Sequence, residues 1–327
     1  MRSVEFRNGK VFWAERPIPE PQKGEVLVKV LYAGICNTDL ELLHGYYNFN
    51  GVAGHEFVGE VIKAPGHEEW EGLKVVAEIN IGCGSCSWCL KKEPRHCNNR
   101  KAIGIKNWDG AFAEYLKVPV NLLHKVESIP LREAVFAEPL AAALEISQQI
   151  HLRNSDRVVV LGDGKMGLLI SLALKTYNPN LLLVGKHQTK LVIAAEQKVR
   201  TFQLKPPSFE ITQVLDEYNG KFDIVIEATG RPEGINNALE LVRPEGIVVA
   251  KTTSHLDFKV NVSKLVVDEI TLVGSRCGDI SLALQSLKEK RLNVVPLIED
   301  CYPFDKFEEA LARAGQKGAK KVLLQYS

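Results

Sequence analysis

The sequence predicts an α/β protein in which a β-rich N-terminal segment precedes a doubly wound parallel sheet. Roughly the first 130 residues are dense in glycine, proline and short β-branched runs, a texture typical of a barrel-like, all-β structure. From about Leu131, short apolar runs alternate with stretches of helical periodicity, as a parallel sheet covered on both faces requires. A length of 327 residues is consistent with about two domains.

The individual elements follow in chain order. Val26–Leu31 and Phe57–Ile62 are predicted strands of the β-rich segment, and residues 133–150 are a predicted helix. The predicted strands of the parallel sheet are Arg157–Leu161, Leu181–Val184, Phe222–Ile226, Ile247–Ala250 and Thr271–Gly274. A helix at Ser281–Lys290, a helix near Phe307–Ala314 and a strand at Lys321–Gln325 could return to the first domain. The predicted domains are therefore 1–146, 147–277 and 278–327.

The charge and hydropathy patterns exclude several classes of protein. Forty-one Lys and Arg residues against 40 Asp and Glu residues leave a formal charge of +1, without the basic surface that nucleic acid requires. No apolar run approaches the roughly 18 residues of a membrane span, and residues 1–10 are typical of a charged strand and not of a signal peptide. We expect a cytoplasmic protein with no nucleic-acid or membrane partner.

Four of the seven cysteines lie in a lobe at about residues 80–100. Cys83, Cys86, Cys89 and Cys97 are spaced by three, three and eight positions. Such tight loops can surround one tetrahedral Zn²⁺ with four thiolates and leave no position for water, so the lobe is predicted to be a structural zinc site. An iron–sulfur cluster is the main alternative, although its familiar sequence run ends in Cys-Pro, whereas here Pro94 precedes Cys97.

A glycine-rich turn follows the strand that ends at Leu161. Gly162 permits the turn, Gly164 allows a pyrophosphate to approach the backbone, and Gly167 permits close packing of the next helix. Lys165 and Met166 begin that helix, whose N-terminus would face the phosphates. The turn predicts a dinucleotide site, and a chance glycine cluster in a flavodoxin-like domain is the alternative.

Several further motifs occur in a fixed order with the cysteine lobe and the glycine turn. They are Gly34-Ile-Cys36-Asn-Thr38-Asp39, Gly54-His55-Glu56-Phe-Val-Gly59, Asp109-Gly-Ala-Phe-Ala-Glu-Tyr115 and Glu138-Pro139-Leu140. In this order the motifs resemble those of the zinc-containing medium-chain dehydrogenases over nearly the whole chain. The resemblance is strongest to the polyol, threonine and sugar dehydrogenase branch. It implies a GroES-like catalytic domain into which a Rossmann domain is inserted.

The resemblance also implies roles for individual residues. Cys36, His55 and Glu138 would bind a catalytic Zn²⁺, with Glu56 beside them and Thr38 as the hydroxyl of a proton relay. Many relatives carry a histidine five residues after the ligand cysteine, where this chain has Glu41, so the outer end of the relay departs from the family pattern. Thr229 and Gly230, which follow the strand Phe222–Ile226, are also expected to contact the cofactor.

The implied activity is hydride transfer between an alcohol, polyol or sugar-type substrate and NAD or NADP. The implied cofactors are one catalytic and one structural Zn²⁺ per chain, and the implied assembly is a homodimer or homotetramer. Two alternatives remain open at this point. One is a non-enzymatic nucleotide- and zinc-binding relative of the same fold, and the other is a zinc-free quinone or enone reductase.

The sequence after the second predicted strand of the parallel sheet favours NADP. NAD-preferring enzymes carry an acidic residue there that accepts hydrogen bonds from the adenosine ribose, and this chain has Gly185. Lys186, His187 and Lys190 offer positive or hydrogen-bonding groups at the same place, which would suit a 2′-phosphate. The alternative is a solvated basic turn, with both cofactors used alike.

Overall fold

The protein is described by a computed structural model that covers residues 1–253 and 258–327. These residues form two compact units. The first contains Met1–Glu138, Ile280–Glu289 and Ile298–Ser327, and the second contains Pro139–Asp279 and Lys290–Leu297. No helix within the described ranges has both the length and the apolar character needed to cross a membrane.

The N-terminal part of the chain is built mostly from short strands. Its elements are β1 (Arg2–Arg7), β2 (Lys10–Glu15), β3 (Glu25–Ile35), α1 (Asn37–Leu43), β4 (Gly51–Val52), β5 (Glu56–Lys63), β6 (Lys74–Ala77), β7 (Asn80–Ile81), α2 (Ser87–Leu90), β8 (Lys101–Ala102), β9 (Tyr115–Pro119), β10 (Leu123–Lys125) and α3 (Leu131–Ala134). Short 3₁₀ turns lie at Tyr46–Asn48, Glu68–Trp70, Pro94–His96 and Val120–Leu122.

Strands and helices alternate in the rest of the chain. The elements are α4 (Ala137–Gln149), β11 (Val158–Leu161), α5 (Lys165–Leu174), β12 (Leu182–Gly185), α6 (Gln188–Glu196), β13 (Arg200–Gln203), α7 (Thr212–Tyr218), β14 (Phe222–Glu227), α8 (Gly234–Leu241), β15 (Val242–Ala250), α9 (Val262–Val267), β16 (Thr271–Gly274), α10 (Ile280–Lys288), β17 (Ile298–Pro303), α11 (Phe307–Gly315) and β18 (Lys321–Gln325). Further 3₁₀ turns lie at Val295–Leu297 and Phe304–Lys306.

The first unit is organised around a seven-stranded sheet with the order β10-β6-β5-β3-β18-β17, in which β9 also pairs with β3. Strand β3 is fully buried at Val26, Val28 and Val30, so its β-branched side chains supply part of the core. In the β3–β5 ladder Gly34 pairs with Glu56. This register brings the end of β3 next to the start of β5, where the predicted metal ligands lie.

The second unit contains a six-stranded parallel sheet with the order β13-β12-β11-β14-β15-β16. Strand β11 is buried on both faces, which explains its continuous apolar sequence. Leu161 pairs with Val184 of β12 and with Glu227 of β14, so the carboxyl ends of these three strands meet at one edge. This edge is the switch point at which doubly wound sheets bind nucleotides.

The helix predicted at residues 133–150 is in fact two helices, α3 and α4. Pro139 is the third residue of α4, and a proline is tolerated only in the first turn of a helix because it has no N–H to donate. A new helix therefore has to begin close before Pro139. The sequence reading also missed β13, which is mostly polar and has no fully buried residue.

Candidate active site

A thiol, an imidazole and a carboxylate come together in the first unit. Cys36 follows β3 and precedes α1, while His55 and Glu56 stand at the start of β5. One ligand atom from each of the three residues lies within 4.8 Å of the other two. His55 is 3% exposed and Glu56 is completely buried. The arrangement is a candidate metal centre formed at the junction of two neighbouring strands.

The buried carboxylate of Asp39 holds the first two of these residues. Asp39 Oδ2 accepts a hydrogen bond of 2.7 Å from the backbone N–H of Cys36, and Asp39 Oδ1 lies 3.3 Å from His55 Nδ1. Burial by itself lowers the pKa of His55, but the negative charge of Asp39 outweighs it and raises that pKa well above its ordinary value. A carboxylate on one imidazole nitrogen orients the other nitrogen for a metal ion.

Lys321 at the start of β18 forms a buried ion pair with Glu56. Burial would lower the pKa of Lys321, and the charge of Glu56 more than offsets this effect. Gly34 makes room for the pair, because a Cβ atom there would lie 2.5 Å from Glu56 Oε2. Glu56 is thus the carboxylate of the cluster whose charge is already balanced by the protein.

Glu138 is not among the residues whose ligand atoms lie mutually close in this cluster. Burial raises the pKa of Glu138 to about 7, and the charges of His55 and Glu56 act on it in opposite directions, so the three side chains are within electrostatic reach. Thr38 Oγ1 is 3.7 Å from the Cys36 sulfur. The roles of Glu138 as a ligand and Thr38 as a relay group stay predictions.

The four-cysteine lobe brings its sulfur atoms together as the spacing predicted. The sulfurs of Cys83, Cys86, Cys89 and Cys97 all lie within 4.8 Å of one another, and none of the described cysteines forms a disulfide. Cys86 Sγ and Cys89 Sγ are 3.6 Å apart. Hydrogen bonds from the backbone and hydroxyl of Ser85 lower the pKa of Cys83 to about 6.

Both clusters fit zinc by the chemistry of their donors. Four thiolates around tetrahedral Zn²⁺ are separated by about 3.8 Å when each Zn–S bond is about 2.3 Å, close to the Cys86–Cys89 distance. The other cluster has the mixed sulfur, nitrogen and oxygen donors of a catalytic site, with its imidazole held by Asp39. Both clusters lie in the first unit, which contains all of the predicted zinc ligands.

In the second unit, backbone geometry explains two of the three predicted glycines of the turn. Gly162 has a φ of +108°, and a Cβ atom there would lie 2.6 Å from the carbonyl oxygen of Ala228. A Cβ atom at Gly167 would lie 1.8 Å from the carbonyl oxygen of Gly162. Gly164, by contrast, has no neighbour within 4 Å of a Cβ position, which leaves its face open for a ligand. Lys165 and Met166 begin α5 directly after it.

A carboxylate lies beside Gly185, although residue 185 itself has none. A Cβ atom at Gly185 would be 2.5 Å from both the Cβ and the Oδ2 of Asp163. Asp163 belongs to the glycine turn and reaches across to the turn between β12 and α6. The expectation of NADP rested on the missing carboxylate at residue 185, and Asp163 places a carboxylate next to that residue.

Thr229 and Gly230 follow β14, where the buried Glu227 organises the turn. Glu227 Oε1 accepts hydrogen bonds from the backbone N–H of Thr229 at 2.7 Å, the Thr229 hydroxyl at 2.6 Å and the Thr252 hydroxyl at 2.9 Å. The backbone N–H of Gly230 donates to the Thr252 hydroxyl at 3.0 Å. The predicted contact residues thus stand at the carboxyl edge of the sheet.

Sequence reasoning did not assign roles to Asp39, Lys321, Asp163 and Glu227. Asp39 had a local signal, since it lies three residues after Cys36 at the start of a helix, as in a capping box. The only sequence signal for Asp163 was indirect: Gly185 stands where NAD-preferring enzymes usually have an acidic residue. Lys321 had no signal, because its partner Glu56 is 265 positions away.

Comparison with known proteins identifies the family. Residues 22–128 match the alcohol dehydrogenase GroES-like domain. A sorbitol dehydrogenase of Halalkalibacterium halodurans is 29% identical, and an L-threonine 3-dehydrogenase of Pyrococcus horikoshii is 30% identical; each comparison covers 95% of this chain and 94% of the relative. The chain belongs to the zinc-containing medium-chain alcohol/polyol dehydrogenase family.

Solved structures agree with the fold. An Escherichia coli protein described as a short chain alcohol dehydrogenase, complexed with NADH, superposes with a TM-score of 0.90 at 26% identity and covers 99% of each chain. A zinc-binding dehydrogenase of Sinorhizobium meliloti, bound to NADP, gives a TM-score of 0.89 at 26% identity over 99% of this chain and 98% of the other. The two relatives carry different nicotinamide cofactors.

Proposed function

We propose that the chain is a zinc-dependent dehydrogenase that transfers a hydride between a CH–OH substrate and NAD or NADP. The observation that carries the proposal is that Cys36 lies next to the buried His55 and Glu56 in the unit that matches the alcohol dehydrogenase domain. Relatives named for sorbitol and L-threonine support an alcohol, polyol, sugar or hydroxy-amino-acid substrate. The glycine turn at the carboxyl edge of the second sheet supports the dinucleotide.

The residues would divide the work as follows. When bound, zinc supplies a Lewis acid for the substrate oxygen, and the nicotinamide supplies the hydride acceptor. Cys36, His55 and Glu138 would hold the metal, while Asp39 fixes the orientation of the His55 ring. Thr38, whose Oγ1 is 3.7 Å from the Cys36 sulfur, would pass the alcohol proton outward.

The two carboxylates near the metal would differ in role. Glu56 has Lys321 as a buried counter-charge, so the protein would hold this carboxylate in place beside the metal. Glu138 stands in the first turn of α4 and would complete the ligand set. A thiolate, an imidazole and a carboxylate leave one zinc position open for substrate, as a catalytic site requires.

We further propose two zinc ions per chain and assembly into a homodimer or a tetramer of dimers. The Cys83 lobe would hold the structural ion, because its four sulfurs leave no open coordination position. Strand β16 at the end of the six-stranded sheet supports the dimer, because an edge strand can pair with its symmetry mate.

Metal analysis combined with two cysteine variants tests the zinc assignment. Cys36→Ser should lose about one zinc and reduce turnover at least ~100-fold while the fold persists, because it removes a ligand of the reacting metal. Cys86→Ser should lose the other zinc and lower the melting temperature, because the free energy of structural metal binding contributes to folding. Cys301→Ser, which changes a cysteine outside both clusters, is the control and should keep both ions.

Two outcomes would favour the alternative functions. Two bound zinc ions with no turnover on a broad panel of alcohols and ketones would indicate a non-enzymatic relative. Enone or quinone reduction that survives both Cys36→Ser and chelation would indicate a zinc-free reductase. Full alcohol turnover by Cys36→Ser would contradict the assignment of the metal centre.

A further inference from the structure

The turn between β12 and α6 contains a group of hydrogen-bond donors suited to an anion. The backbone N–H groups of Lys186 and His187 point to the same place, and the His187 ring stands beside them. Successive backbone N–H groups in a turn form a concave anion site. In a dinucleotide-binding domain this place faces the adenosine ribose, where NADP carries its 2′-phosphate. The inference that follows rests on the proposed use of a nicotinamide dinucleotide.

An internal anion already occupies this site. Asp163 Oδ2 accepts the N–H of Lys186 at 2.7 Å and the N–H of His187 at 2.6 Å. His187 Nδ1 lies 3.1 Å from Asp163 Oδ1 and 3.0 Å from Oδ2. The Asp163 side chain is only 9% exposed, so these contacts are shielded from solvent. The carboxylate therefore holds the donors that a 2′-phosphate would need.

The neighbouring basic side chains are directed elsewhere. Lys190 is 7% exposed, so its ammonium group is not presented to solvent at the turn. The Lys186 ammonium lies 5.1 Å from the centre of the Phe209 ring, in a cation–π contact. The His187 ring faces Asp163. Of the groups that favoured NADP in the sequence, the Lys186 and His187 side chains are thus engaged with partners within the protein, and Lys190 is buried.

We infer that Asp163 selects NAD over NADP by filling the anion site of the β12–α6 turn. A bound 2′-phosphate would have to displace the carboxylate from two backbone donors or approach its negative charge closely. NAD has only hydroxyl groups at the ribose and meets neither obstacle. The position of Asp163 also explains why residue 185 is a glycine, because any side chain there would collide with Asp163. This preference is the reverse of the one predicted from the sequence.

Direct binding measurements test this inference without any need for turnover. The dissociation constants of NADH and NADPH are measured by titration calorimetry at one fixed ionic strength, on the zinc-loaded protein. The wild type should bind NADH at least about tenfold more tightly, the difference expected from one charge-assisted contact. Asp163→Ser empties the anion site and should tighten NADPH binding about tenfold or more, with little change for NADH.

Three further variants make the result specific. Asp216→Asn removes an exposed carboxylate of the same unit and should leave both dissociation constants unchanged. Asp163→Asn keeps the shape and removes the charge, so it decides the matter if Asp163→Ser does not fold by circular dichroism. The double variant Asp163→Gly/Gly185→Asp returns a carboxylate from the other side of the contact and should restore the preference for NADH.

The outcomes separate this inference from the proposed function. Equal binding of both cofactors by the wild type, or tighter binding of NADPH, would overturn the role of Asp163 and leave the dehydrogenase proposal standing. An unchanged cofactor ratio in the folded Asp163 variants would also overturn it. Failure of the wild type to bind either cofactor would overturn the dehydrogenase proposal itself.

Discussion

Lys321 carries its charge into a part of the first unit where side chains are almost completely enclosed. Its side chain is 6% exposed and that of its partner Glu56 is fully buried. Removing two charges from water is costly, and the cost is offset only while both charges remain together. The ion pair is therefore sensitive to the loss of either partner, whatever its net contribution to stability.

We predict that Lys321→Met lowers the free energy of unfolding by about 3 to 5 kcal/mol, because it leaves the Glu56 carboxylate buried without its counter-charge. Urea unfolding of the zinc-loaded protein measures the effect. Lys306→Met is the matched control, since it removes the partner of Glu309 from an exposed pair and should cost less than about 1 kcal/mol. Equal stability of the two variants would contradict the prediction.

At the scale of single residues, the sequence indicated which side chains meet in the four-cysteine lobe, but it did not indicate the residues that support the sites. The cysteine spacing was sufficient for Cys83 to Cys97, because the four ligands lie on one short segment. Asp163 meets its partners only after two separate turns have formed, 23 and 24 positions apart. Such contacts depend on the three-dimensional path of the chain and leave no periodic trace in the sequence.

Within the strand–turn–helix element β11–α5, two glycines should respond differently to the same substitution. Gly167→Ala places a methyl group 1.8 Å from the backbone oxygen of Gly162, so we predict a lower melting temperature. Gly164→Ala meets no atom within 4 Å, so it should fold with wild-type stability. Its added methyl group should nevertheless weaken cofactor binding about tenfold or more, because the pyrophosphate approaches the backbone there.

Thermal unfolding and NADH titration of the two variants check this contrast. Wild-type NADH affinity in Gly164→Ala would contradict the prediction that the pyrophosphate approaches this face of the turn. Wild-type stability in Gly167→Ala would show that helix α5 can move away from β11 at little cost.

Elements were predicted well where burial makes their sequence continuous. Strands β11, β12 and β14 are apolar because helices cover both faces of a parallel sheet, and each was recognised. Strand β13 lies at the edge of that sheet and is mostly polar, so the strand was missed. The division between α3 and α4 depends on a single proline in an otherwise periodic stretch.

At the scale of the whole molecule, the outer side of β16 and the helix before it expose several apolar side chains. Leu272 of β16 is 41% exposed, and Val262, Val266 and Val267 of α9 are 61%, 69% and 79% exposed. Among the described residues β16 pairs with β15 alone. An open strand edge beside an apolar surface is typical of a subunit interface.

We therefore predict that Leu272→Lys and Val267→Lys shift the protein from dimer to monomer, because a buried lysine would be unpaired at the interface. Light scattering at micromolar protein concentration measures the change in mass. Val192→Lys, on the partly exposed face of α6, is the control and should keep the wild-type mass. A monomeric wild type would contradict the proposed assembly.

The place of strand β18 near the end of the sequence determines which sheet can be completed first during synthesis. The strand lies between β3 and β17 in the sheet of the first unit, and its Lys321 is 265 positions from Glu56. A ribosome releases the stretch Pro139–Asp279 of the second unit before it releases β18. The seven-stranded sheet of the first unit cannot be completed until β18 has been synthesised. All six strands of the second unit's sheet precede β18 in the chain. The cluster of Cys36, His55 and Glu56 thus obtains its complete surroundings only after translation has passed Lys321.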